Sequence, residues 1–150
     1  MSRIVQAVTI NRPPRDVWAY ITDFARGPEW IPGQVEKQAL TPEPYGRGTR
    51  IRAVQKVPGR IVEGTFEIAE WQPSQRLVER SVDGPLQVQV AYDLDPEAAS
   101  GSRLTLTYDI AGRRLYKLVE LLTARSIRGS LPNACATLKR KIESKQAAAL

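Results

Sequence analysis

Four runs between Thr49 and Ile110 alternate apolar and polar residues, and this pattern limits the fold more than any other feature of the chain. Ile51, Ala53, Gln55 and Val57 fall on one face, with Arg50, Arg52 and Lys56 on the other. In Arg60 to Trp71, the series Val62, Gly64, Phe66 and Ile68 alternates with Glu63, Thr65 and Glu67. Leu86, Val88, Val90, Tyr92 and Leu94 repeat the pattern, as do Leu104, Leu106, Tyr108 and Ile110. Successive side chains of a strand point to opposite faces. Regular alternation therefore predicts antiparallel strands with one buried face and one wet face. Pro58-Gly59 joins the first two runs as a hairpin, and Asp83-Gly84-Pro85 separates the next pair. Arg3 to Ile10, Val35 to Leu40 and Gln75 to Val82 bring the expected count to seven strands.

Helical periodicity is confined to two places. Pro14 suits the first helical position, where its missing N–H costs nothing. Asp16 suits the positive end of the helix dipole. Val17, Ile21 and Phe24 then share one side of a helix predicted to reach Ala25, with Gly27-Pro28 as its stop and a further turn at Pro28 to Ile31. The second helix is predicted from Arg113 to Ser144. It carries two apolar stripes: Leu115, Leu118, Val119 and Leu122, and then Ile127, Leu131, Ala134, Leu138 and Ile142. The five-residue step between them breaks the phase, and Pro132 predicts a kink near Arg128. One long helix across a wide antiparallel sheet is an α+β arrangement.

The 150 residues include no histidine and one cysteine, Cys135. Triads built on histidine are therefore excluded, as are the usual zinc sites and intrachain disulfides. No Walker loop or dinucleotide glycine motif occurs, so neither a metal nor a cofactor is expected. With no imidazole to activate it, Cys135 is not expected to act as a nucleophile. No apolar run approaches the roughly 20 residues needed to span a bilayer, and a cytoplasmic location is expected. Charge is unevenly placed. Residues 113–150 hold nine basic and two acidic side chains, net +7, whereas residues 1–112 are net −1. The basic final helix is thus a candidate contact for an anionic partner. Nucleic acid is not expected, because no aromatic series interleaves with these cations.

The order of elements, with Pro14-x-x-Val17-Trp18, Asp23, Pro28-Glu29-Trp30-x-Pro32, Gly46 to Arg52, Gln75 to Ser81 and Gly101 to Ile110, resembles the START-like or SRPBCC helix-grip superfamily. The nearest branch is that of the polyketide cyclase/dehydrase and lipid-transfer proteins. The resemblance covers nearly the whole chain, read as one domain over residues 1–150. It implies a curved seven-stranded sheet gripping the C-terminal helix around a mainly apolar cavity. Two short helices after the first strand would close one end, with Trp18 and Trp30 in that wall.

The residues expected to line the cavity are Gln55, Phe66, Ile68, Val90, Tyr92, Leu106, Tyr108, Leu115, Val119, Leu122 and Ile127. Gln55 is a polar side chain in an apolar row, and a buried amide needs partners. The hydroxyls of Tyr92 and Tyr108 need them too. No acid–base pair is evident from spacing, so no catalytic residue is assigned. The first expectation is a non-enzymatic binder or carrier of a small lipid-, polyketide- or quinone-like molecule. A cofactor-independent cyclase or dehydratase using Tyr92, Tyr108 and Gln55 is the second. A protein- or ribosome-interaction module using the basic helix is the third.

Overall fold

Seven strands build one antiparallel sheet in the computed structural model, which describes residues 1–57, 59–98 and 100–149. They are β1 (Ser2–Ile10), β2 (Gln34–Ala39), β3 (Arg50–Val57), β4 (Arg60–Gln72), β5 (Arg76–Ser81), β6 (Leu86–Glu97) and β7 (Gly101–Gly112). The order across the sheet is β1-β7-β6-β5-β4-β3-β2, a meander whose first strand returns to its far edge. Pro58, half of the expected hairpin signal, lies outside the described residues. The pairing sets Ile51 opposite Phe66, Val90 opposite Tyr108 and Tyr92 opposite Leu106, so the apolar rows share one face. The other face carries ion pairs such as Arg52 with Glu36 and Arg76 with Asp93. Register shifts at Gln34/Glu36 and Ile68/Glu70 bend β2 and β4.

Helix α1 (Pro14–Ile21) is shorter than the sequence predicts. The Thr22 hydroxyl donates to the Trp18 carbonyl (2.7 Å), competing with the helical ladder, and the helix ends there. A 3-10 segment, Phe24–Glu29, follows and contains Gly27-Pro28 rather than stopping at it. Gly27 serves close approach: a Cβ there would collide with the side chains of Gln34 and Lys37 on β2. The segment therefore lies directly on β2. Trp18 and Trp30 are both buried, Trp18 edge-on to Trp71 (5.0 Å) and Trp30 edge-on to Tyr92 (6.4 Å).

Helix α2 (Lys117–Ala149) follows a 3-10 turn at Arg114–Tyr116 and continues unbroken through Pro132. Pro132 leaves the Arg128 carbonyl without its helical donor. Both residues are exposed, so water can serve that carbonyl and the helix continues. The second half of α2 buries Leu131, Ala134, Cys135, Leu138 and Ile142 against the sheet and α1. It is fastened to the end of β1 and the start of α1. Lys139 Nζ donates to the Thr9 carbonyl (3.0 Å), and the Asn11 amide donates to Glu143 (2.9 Å).

Candidate functional site

The concave face has two unlike ends. Ile10, Ile51, Ile68, Leu77, Leu104 and Leu106 fill one of them and are inaccessible to solvent. At the other, Gln55, Val62, Phe66, Ser81, Val88 and Tyr108 share the same face but are only half buried. From α2, Ile127 packs half buried against the core.

A polar cluster sits between the two ends. Lys37 and Glu79 are buried, and the Lys37 ammonium lies 3.2 Å from Oε1 and 3.0 Å from Oε2 of Glu79. The Tyr92 hydroxyl donates to the same Oε1 (3.1 Å), whereas Oε2 takes no other bond. Lys37 is on β2 and Glu79 on β5, three strand spacings or about 14 Å apart along a sheet. Only strong curvature lets their side chains meet. Small Ala53, opposite Lys37, keeps that path open. The Phe24 ring covers the ammonium, its centroid 5.4 Å away. Outside the cluster, an open groove of about 1150 Å³ runs between α1, the 3-10 segment and β2, with Lys37, Phe24 and Trp71 in its wall.

Burial raises the pKa of both tyrosines, and the Glu79 charge adds to the effect. At neutral pH each phenol is therefore a proton donor and not a base. Tyr92 spends its proton on Glu79. The Tyr108 hydroxyl makes no hydrogen bond among the described residues. Gln55 presents a buried amide oxygen that likewise has no donor. Cys135 is buried, and desolvation pushes its thiol up to about 11, which keeps it protonated and unreactive.

The profile of the family described as polyketide cyclase/dehydrase and lipid transport matches residues 1–143. The chain belongs to this family. The same helix-grip fold is found in the Zhui aromatase/cyclase of a Streptomyces species, with TM-score 0.84 and 15% identity over 99% of this chain and 97% of that one. A START superfamily protein from Mycobacterium smegmatis gives TM-score 0.75 and 14% identity, covering 95% and 97% of the two chains. A Thermus thermophilus protein gives 0.74 and 20%, covering 96% and 99%. At such identities the likeness is one of fold. A search of curated proteins found no match.

Within this family framework, the expected lining residues divide three ways. Gln55, Phe66, Tyr108 and Ile127 lie at the open end. Ile68, Val90, Tyr92 and Leu106 belong to the packed core. Leu115, Val119 and Leu122 are expected to face inward, but all three are exposed, Leu115 in the 3-10 turn before α2 and Val119 and Leu122 on α2 itself. The cause is the rotational setting of the helix. Buried Glu120 accepts hydrogen bonds from the Gly112 amide (2.8 Å) and the Ser2 hydroxyl (2.6 Å). Fixing Glu120 inward turns Leu118 and Leu122 outward.

Lys37 and Glu79 are the members that sequence reasoning missed. Lys37 shares a strand face with Ala39, but the bulge at Gln34/Glu36 scrambles the alternation before it. Glu79 follows Leu77 and Val78, two apolar neighbours that leave the period-two phase ambiguous.

Proposed function

We propose that the chain binds a small, mainly hydrophobic molecule bearing carbonyl or hydroxyl oxygen at the open end of the concave face. The observation that carries this reading is the pair of polar groups left without partners there, the Tyr108 hydroxyl and the Gln55 amide oxygen, amid half-buried Phe66, Val62 and Val88. Left without a partner, the buried Gln55 oxygen costs roughly 1–3 kcal/mol. A ligand oxygen at Tyr108 and a ligand hydroxyl at Gln55 would supply the missing bonds. The family assignment agrees with such a ligand class.

Native mass spectrometry of the full chain tests this. A bound organic molecule is expected, with lower occupancy in Tyr108→Phe and an unchanged melting temperature. A ligand-free mass from every expression host would overturn it.

Conversion of the ligand is a second reading, and Glu79 favours it. A buried carboxylate held by an ammonium and a phenol is an acid–base group of the kind that cofactor-independent cyclisation or dehydration requires. Loss of turnover of a poly-β-carbonyl substrate in Glu79→Gln, with binding kept, would decide for a cyclase or dehydratase.

A further inference from the structure

We propose that the outward face of the first half of α2 docks on an anionic lipid surface. Leu115, Leu118, Leu122 and Leu121 are 91%, 67%, 58% and 51% exposed within eight residues. An apolar group this dense is unusual on a protein surface and marks an interaction site. Charge complementarity names the occupant. Between Asp109 and Glu143 the only carboxylate is Glu120, which is buried and turned toward Gly112 and Ser2. The exposed surface of these turns is therefore leucine, arginine and lysine with no acid.

Arg113, Arg114, Arg125 and Arg128 have no carboxylate partner among the described residues. Some arginines elsewhere are paired, as Arg3 is with Asp109 and Arg52 with Glu63, and others such as Arg47 and Arg80 have no partner among the described residues; what sets this segment apart is that its unpaired arginines flank exposed leucines. Leu118, Leu121 and Leu122 form a ridge on α2, and Leu115 extends it from the preceding 3-10 turn. A lipid surface accepts a protruding apolar ridge at any contour, and the flanking guanidinium groups reach headgroup phosphates while their stems stay in the apolar layer. The chain has no helix long and apolar enough to cross a membrane among the described residues, so the contact would be interfacial. The proposal does not depend on what the concave face holds.

Sedimentation of the full chain with vesicles tests it. One set is phosphatidylcholine alone and the other is phosphatidylcholine mixed with phosphatidylglycerol. Binding is expected to the mixed vesicles and to fall with salt. Removing basic charge by Arg113→Gln and Arg114→Gln should weaken it about fivefold per charge. Leu118→Glu with Leu122→Glu should reduce it by at least about tenfold. Both positions are exposed, so the variants should melt with the parent. If the double variant fails to fold, Leu115→Gln alone, at the most exposed position, should still weaken binding. Equal binding to both vesicle types, binding to neither, or undiminished binding by the leucine variants overturns the proposal. So does light scattering that shows a dimer, or a complex with an acidic protein, dissolved by those same leucine substitutions.

Discussion

The two halves of α2 have similar apolar content and opposite fates. In the second half Leu131, Ala134, Leu138 and Ile142 are almost wholly buried. In the first half Leu118, Leu121 and Leu122 stand in solvent, with Leu115 exposed in the turn before them. Composition does not separate them. What does is phase relative to Glu120, whose carboxylate fixes the side of the helix that meets Gly112 and β1. The concave face is likewise uneven, packed at one end and only half buried around Gln55, Phe66 and Tyr108. One half of the molecule thus holds the fold together, and the other is free to meet something else.

The largest expected effect lies at the boundary between the halves. Lys37→Met leaves Glu79 buried without its counter-charge and should cost about 3–5 kcal/mol in urea unfolding. Adding Glu79→Leu should recover most of that loss, because a buried ion pair is often no better than apolar packing. If Lys37→Met alone is neutral, the two side chains are not sealed from water and the boundary has been drawn in the wrong place. Next in size is Leu138→Ala in the packed half. Leu138 is inaccessible to solvent, and truncating such a side chain should cost about 2–5 kcal/mol. A loss below 1 kcal/mol would mean that this half is no better packed than the other.

Reading the sequence forward shows why one half was legible and the other was not. Alternation in β3, β4, β6 and β7 was strong enough to give seven antiparallel strands and one inward face. Gln55, Phe66 and Tyr108 are on that face as expected. The two stripes of α2 were visible too, with their broken phase. Sequence cannot say which of two stripes turns inward, because that is set by Glu120 meeting Gly112 and Ser2, contacts that span up to 118 residues. Lys37 and Glu79 were hidden for a related reason. They meet through curvature of the whole sheet, and no local pattern encodes an approach between β2 and β5.

The Glu120 anchor yields a pH signature. The Ser2 hydroxyl, the Gly112 amide and Lys117 hold its carboxyl at about 2, below the ordinary 4.5. A depressed folded pKa adds stability above the unfolded value, and that stability drains as pH falls through the folded one. The parent should therefore lose stability relative to Glu120→Gln as pH drops from about 4.5 toward 2. Glu63 and Glu143, also lowered, titrate in both proteins and cancel in the difference. Parallel acid-unfolding curves would mean that the carboxylate does not set the rotation of α2, and the outward turn of the leucines would need another cause.

The smallest effect is the most pointed test of the comparison. Leu122→Ala removes a side chain of the same type as Leu138, from the same helix. Because Leu122 is mostly in water, the change should stay within about 0.5 kcal/mol of zero. The measurement is the same urea titration used for Leu138→Ala, run at several protein concentrations. A loss above 1 kcal/mol that grows with concentration would show the leucine face already covered by a second copy in solution. A loss of that size independent of concentration would place Leu122 inside the fold. Indifference at every concentration leaves the first half of α2 exposed in the free protein, its leucines held out by a carboxylate on the opposite side of the helix.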